Sequence, residues 1–493
     1  MKTILLAALL AAPMGQAMTA SESKIGPNLL KAMHQFNEGV DILIYMNSQA
    51  DLSSARAFQQ KSKKSEFVFN SLVEHAKFSQ KELRDYLASE SIKYQSFYLG
   101  NIIHAFNVDS AKINEIAARK DVLKVLGNPY VQSVAPPTPQ QLAPSFDTES
   151  GIGSNITHTG ADRVWNEYNT KGEGIVIAGQ DTGVQWDHPA LKNQYRGWDG
   201  ATASHDYNWN DAIHSGRNNR CSANHRFPCD DHGHGTHTIG TAIGSDGGSN
   251  QIGVAPEAKW IACRNMNEGY GTPATYLECF QFFLAPWPFG GDPEDDGRPE
   301  LGADVMNNSW GCPQSEGCEG DEFEQVLHAL KEAGIMVVAS AGNEGSGCQT
   351  IGSQPASHGD TTFSVGSINH SSNSISSFSS RGPSAFDGSV GPDITAPGEN
   401  IRSATPGNNY ASWGWSGTSM AGPHVAGAVA LLWSAKPELK GNIDATIALF
   451  TQNAVATRSN QSCDGRSGSQ IPNNTFGHGI LNIYDVVQSA LRD

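Results

Sequence analysis

The sequence predicts an α/β protein, with a mostly parallel sheet carrying helices on both faces, preceded by a smaller α+β domain. Three observations predict it. From about residue 145, short apolar runs at 175–178, 260–262, 304–306 and 335–339 alternate with helical stretches such as 322–333. Apolar strands separated by helices are the pattern of a parallel sheet buried on both sides. Upstream of these, the run APPTPQQLAP over 135–144 reads as an exposed linker, a preferred site of proteolytic nicking. Composition changes across that linker. Residues 1–143 carry 15 Lys+Arg against 12 Asp+Glu, whereas the remainder carries 18 against 38 and all eight cysteines.

The elements follow in chain order. Lys2, an apolar core over 4–12 and the small residues Gly15 and Ala17 have the layout of a signal peptide, expected over 1–17. The run falls short of the roughly 20 residues a membrane span needs, and no second one follows, so a secreted, extracellular chain with no membrane partner is expected. The small domain, 18–143, reads as strand 40–46, helix 81–91, strand 98–108, helix 110–120 and strand 122–126. The larger domain, 144–493, is strongly acidic, which disfavours nucleic acid as a partner. An even number of cysteines in an exported chain implies disulfides. Proximity favours Cys221–Cys229, Cys263–Cys279 and Cys312–Cys318, leaving Cys348 for Cys463. Sequons stand at Asn155, Asn369, Asn460 and Asn473, so a glycoprotein is expected in a eukaryotic host. Asn307 also fits the pattern but lies beside a core strand.

Four places can carry chemistry. Asp181 lies just past the run 175–178, where functional residues of parallel sheets gather. A carboxylate there can fix a histidine tautomer, or merely cap a turn. In DHGHGTH (231–237), His234 is a candidate general base between close-packing glycines. The same run offers zinc ligands in Asp231, His232 and His234, or a structural role. Ser419 opens an apolar helix expected over 421–434, with Pro423 in its first turn. A serine so placed gains from the helix dipole and from a free backbone N–H, although an ordinary N-cap looks the same. Asn343, after the run 335–339, can donate its amide to an oxyanion, or simply form a turn.

Together, DTGV, HGTH, AGNEG and GTSMAGPHVAG occur in the order Asp, His, Ser, which resembles the subtilase family across residues 155–485. The resemblance implies a subtilisin-like serine endopeptidase acting on proteins or peptides. In it Asp181 orients, His234 is the base, Ser419 is the nucleophile and Asn343 assists the oxyanion. It also implies that Ser309, Trp310 and Gly311 bind substrate backbone, and that Phe476 to Asn482 form a closing motif. Residues 18–143 resemble an inhibitory, folding-assisting propeptide, cut near 135–150, so the zymogen's own propeptide is an expected intramolecular partner of an otherwise monomeric enzyme. No cofactor is required. Where the family often supplies an Asp to a structural calcium, this chain reads His188-Pro189-Ala190; the loop 245–251 with Asp246 is what remains for such an ion. Insertions before His234 and over 285–302 are similar to those of the bacillopeptidase F-like branch, and the second, which is acidic, is expected to reshape the cleft rim. A zinc hydrolase and a binding module on a retired protease fold are the competing classes.

Overall fold

The computed structural model describes residues 22–35, 39–132, 151–215, 220–411 and 415–492. The expected signal peptide and the linker lie outside the described residues. The large sheet has eight strands among the described residues: seven in the order Ser374–Ile375, Phe363–Asn369, Met336–Ser340, Val305–Asn308, Val176–Asp181, Lys259–Arg264 and Trp209–Asp211, and an eighth, Ile394–Pro397, paired to Phe363–Asn369. Its pairings are parallel except that of the edge strand Ser374–Ile375. Side chains alternate between two cores. Ile177, Ala262, Val305 and Val338 face the helices His234–Ile243 and Thr418–Ala435. Ala178, Ile261, Met306 and Val337 face Pro273–Leu284 and Glu324–Glu332. Apolar residues on both sides of each strand are the reason the runs read as continuous rather than alternating.

The N-terminal domain is a four-stranded antiparallel sheet ordered Tyr94–Phe97, Ile102–Val108, Val40–Met46 and Val122–Gly127. It too is buried on both faces. Ile42, Ile44 and Met46 point to a core with Leu83, Leu87, Ile113 and Ile116. Leu43 and Tyr45 belong to the core shared with the larger domain's Phe280 and Phe323. The expected strand 98–108 is a correction: it is the second half of a hairpin, and the chain turns at Gly100 and Asn101, both at positive φ (77° and 53°). The longest helix of this domain, Lys61–Ser79, was not expected.

All four disulfides join the pairs that proximity favoured. The acidic insertion 285–302 does not stand free at a rim, since Glu294 and Asp295 are paired with Arg84 and Lys77 of the N-terminal domain. Among the sequons, Asn155 and Asn473 are buried and hydrogen-bonded within the fold, as Asn307 is, whereas Asn460 is exposed. Among the described residues no helix is long and apolar enough to cross a membrane.

Candidate active site

Asp181 ends the central strand Val176–Asp181, beside the switch point where the chain first builds Trp209–Asp211 and Lys259–Arg264 on one side and then crosses to Val305–Asn308 on the other. His234 is the first residue of the helix His234–Ile243. Two glycines let that helix lie close enough for the two side chains to meet. A Cβ on Gly179 would stand 2.6 Å from Ile239 Cδ1, and one on Gly235 would stand 2.1 Å from the Gly183 carbonyl oxygen. His234 Nδ1 lies 2.8 Å from Asp181 Oδ1 and 2.9 Å from Oδ2, with both side chains buried. Asp181 also accepts from the Thr182 N–H at 2.7 Å. With Nδ1–H committed to the carboxylate, Nε2 is left as the basic nitrogen.

The loop leading to His234 is built around a residue that sequence reasoning missed. Asp230 Oδ1 accepts from the N–H groups of His232 and Gly233 and from Thr182 Oγ1. Its Oδ2 accepts from Thr236 N and Oγ1. One buried carboxylate thus ties the histidine loop to the turn after Asp181. Its signal in the sequence was an Asp followed by a Gly-rich helix start, the pattern of a local side-chain cap. The other members of the run are engaged elsewhere. Asp231 bonds Arg264 at 3.1 Å and the Glu268 N–H at 3.0 Å, and burial lifts its carboxyl to about 7 against the pull of that arginine. His237 stacks on Trp415 and meets the Ile401 carbonyl at 3.0 Å, and burial depresses it to about 3. Among the described residues no group of three or more His, Cys, Asp or Glu could hold a metal ion.

Ser419 is the second residue of the helix Thr418–Ala435, which begins three residues earlier than expected. Pro423 therefore falls inside the helix, not in its first turn. Lacking an N–H, it leaves the Ser419 carbonyl without its i+4 donor. Ser309 Oγ fills that gap, donating to Ser419 O at 3.0 Å, and is itself held by Asn307 Nδ2 at 2.9 Å. Ser419 Oγ in turn donates to the Ser309 carbonyl at 3.3 Å, so its hydrogen bond is to main chain and not to the imidazole in this rotamer. The helices carrying His234 and Ser419 pack side by side. A Cβ on Gly427 would lie 2.7 Å from Ala242 O, and each of these residues is eight beyond its candidate, so the two helix starts are level. Asn343 is exposed, and its Oδ1 accepts from Thr418 N and Oγ1 at 2.9 and 3.0 Å, which turns the Nδ2 donors outward.

Trp310 stacks on Tyr276 at 4.0 Å and lies edge-on to Phe323, buried in an aromatic wall, while Gly311 leads into the short strand Cys312–Pro313. Sequence reasoning missed the hairpin Met266–Asn267 with Tyr270–Gly271. The chain's own Val131–Gln132 adds to it as a third, antiparallel strand, with Val131 fully buried and Tyr130 stacked on Tyr270 at 5.3 Å. The loop 245–251, the remaining candidate for calcium, is closed by its own hydrogen bonds. Asp246 is taken up by the N–H groups of Gly248 and Asn250 and by Asn250 Nδ2, and the Arg402 guanidinium sits on Asn250 Oδ1 at 2.5 Å. At the position of the missing ligand, Ala190 instead donates its N–H to the buried His188.

The model of the subtilase family (peptidase S8) matches residues 172–479. Bacillopeptidase F of Bacillus subtilis is 34% identical over 97% of this chain, and the match covers 33% of that protein. The intracellular serine protease of Paenibacillus polymyxa is 30% identical over 60% of this chain and 76% of its own length. Subtilisin E of Bacillus subtilis is 27% identical over 78% of this chain and 84% of its own. The chain thus spans about a third of the bacillopeptidase F that it matches almost end to end. With the motifs in order on a parallel sheet and the family model matched over most of the chain, this protein belongs to the subtilase family.

Proposed function

We propose that the chain is a secreted serine endopeptidase that hydrolyses peptide bonds through an acyl-enzyme on Ser419. The observation that carries this is the Asp181–His234 pair held at 2.8 Å, level with a serine at a helix start. His234 Nε2 takes the Ser419 proton as Ser419 turns about χ1 from the Ser309 carbonyl and attacks the substrate carbonyl carbon. The tetrahedral oxyanion receives hydrogen bonds from the Ser419 N–H and Asn343 Nδ2, donors of a kind worth about a hundred- to a thousandfold in turnover each. His234 then protonates the leaving amine, and water, deprotonated by the same imidazole, releases the acyl group. Asp181 holds the tautomer throughout.

Substrate is read as an added strand. The seat of Val131–Gln132 on Tyr270–Gly271 supports an extended peptide lying there, its backbone bonded to the hairpin and Ser309 to Gly311 continuing the track. The same seat supports the N-terminal domain as an intramolecular inhibitor, cut from the mature enzyme near residues 135–150, which lie outside the described residues. Four disulfides support an oxidising, extracellular setting. No calcium is needed at 245–251, because side chains close that loop.

The test is peptide hydrolysis by the processed protein. Ser419→Ala and a serine-directed sulfonyl fluoride each abolish it, and a chelator leaves it unchanged. Full activity in Ser419→Ala overturns the assignment. Loss to the chelator with survival of the sulfonyl fluoride makes the protein a metal hydrolase, and no hydrolysis of a mixed peptide library makes it a binding module.

A further inference from the structure

The guanidinium of Arg264 lies where several segments around the active site meet. Arg264 ends the strand Lys259–Arg264, is paired level with Asp181, and has a fully buried side chain. Its Nε and Nη2 fork onto Asp211 of the edge strand at 2.9 and 2.8 Å. Nη2 also donates to the Ser222 carbonyl, and Asp211 accepts from the His225 N–H, so the Cys221–Cys229 loop is fastened to the same pair. The third nitrogen, Nη1, reaches Asp231 Oδ2 at 3.1 Å, and Asp231 Oδ1 accepts from the Glu268 N–H at 3.0 Å. Glu268 stands at positive φ (51°) in the turn of the hairpin Met266–Asn267 with Tyr270–Gly271.

Asp231 therefore bridges two parts of the cleft. On one side is the hairpin, on which the chain's own Val131–Gln132 lies as an added strand. On the other is the loop that carries His234, whose His232 and Gly233 N–H groups are held by the neighbouring Asp230. Arg264 gives this bridge a fixed point on the sheet, because a bidentate arginine fork sets direction as well as distance. Binding energy gained far from the scissile bond raises turnover only when it is used to position the reacting groups; otherwise it appears in KM alone. A tie from the hairpin turn to the histidine loop is a means of using it so. Burial lifts the Asp231 carboxyl to about 7 against the pull of Arg264, so the fold tolerates this group without its charge near neutral pH. Asparagine is accordingly the mildest cut: its oxygen can keep the Glu268 N–H, but its amide donors then face the guanidinium.

We propose that Asp231, anchored by Arg264, is a positioning residue that couples peptide bound along the hairpin to the placement of His234. Substrates long enough to pair with Tyr270–Gly271 thereby gain in kcat, and short ones do not. This rests on the reading of Ser419 as nucleophile and deepens it by naming where remote binding energy is spent. The test uses the processed enzyme and two peptides identical at the scissile bond. One is extended by about four residues on its N-terminal side, because Val131–Gln132 precede the expected cut and occupy the hairpin. At about pH 8.5, where the Asp231 carboxyl is charged, the parent's kcat is about tenfold higher on the long peptide. In Asp231→Asn that ratio falls to within about twofold of one, while the ratio of the two KM values stays as in the parent. Asp231→Ser, which reaches neither partner, gives the same loss, and Asp231→Glu, which keeps the charge, recovers part of the ratio. Equal loss of kcat on both peptides, a loss carried by KM, or a parent without the kcat gain overturns the proposal. Turnover that survives Ser419→Ala, or no hydrolysis of either peptide by the parent, overturns the reading of Ser419 itself and the proposal with it.

Discussion

Pro423 and Ser309 act on one atom, the Ser419 carbonyl oxygen. The proline removes the helical donor to it, and the serine hydroxyl replaces that donor at 3.0 Å. A buried carbonyl left unsatisfied costs about 1–3 kcal/mol. Ser309→Ala is therefore expected to destabilise the fold by about that much. In Pro423→Ala the new N–H reaches Ser419 O, and the same Ser309→Ala change costs less than half as much. Urea unfolding of the four proteins in a Ser419→Ala background, which cannot digest itself, measures the coupling. Strict additivity would mean that Ser309 does not stand in for the missing helical bond. At this scale the sequence was informative about identity and poor about geometry. Asp181, His234, Ser419 and Asn343 each looked like a cap or turn residue taken alone, and only their order and spacing joined them. Asp230 was missed because its only signal was that of a local cap, and three of the five donors to it are backbone amides, which no motif spells out.

Elements buried on both faces were legible, and those defined by a turn were not. The central strands announced themselves as apolar runs because helices cover both sides of the sheet. The hairpin at Tyr94–Phe97 with Ile102–Val108, and the one at Met266–Gly271, each turn on two residues of positive φ. Their flanks are too short or too mixed in polarity to show a period. The helix Lys61–Ser79 was missed although Val68, Phe69, Leu72, Val73 and Ala76 have the helical spacing; its charged first turn concealed them. The segment after Trp209–Asp211 carries a further element-scale expectation. His214 Nε2 meets Glu278 at 2.7 Å, which also accepts from Gln95 of the N-terminal domain at 2.8 Å. The glutamate's hydrogen bond raises His214 to about 9. A histidine raised in this way stabilises fully below its unfolded value of about 6.5 and ceases to do so as pH climbs through about 9. The imidazole is 48% exposed, so solvent screening keeps the effect small. Melting temperature between pH 7 and 10 should fall more in the parent than in His214→Asn, and parallel curves would remove the pair from the account.

Across the whole molecule, the large domain is closed by chemistry that acts at long range in sequence. Cys348–Cys463 spans 115 residues and Cys221–Cys229 only 8. The long link fastens the loop after Asn343 to the C-terminal segment, a junction also held by Gln461 Nε2 donating to Ser346 O at 2.6 Å. Cross-links act in large part on the unfolded chain, by an amount that grows with the logarithm of the loop they close. On that basis Cys348→Ser with Cys463→Ser should cost about 2 kcal/mol more than Cys221→Ser with Cys229→Ser. Both double variants are compared in the Ser419→Ala background by denaturant unfolding, where the midpoint and slope are read separately. The long-loop variant should also show the steeper slope, since its unfolded state is released to expose more surface. Equal costs would place the value of these links in the folded state instead. The Cys348 link would then matter chiefly for holding the Asn343 loop against the helix start that carries Ser419.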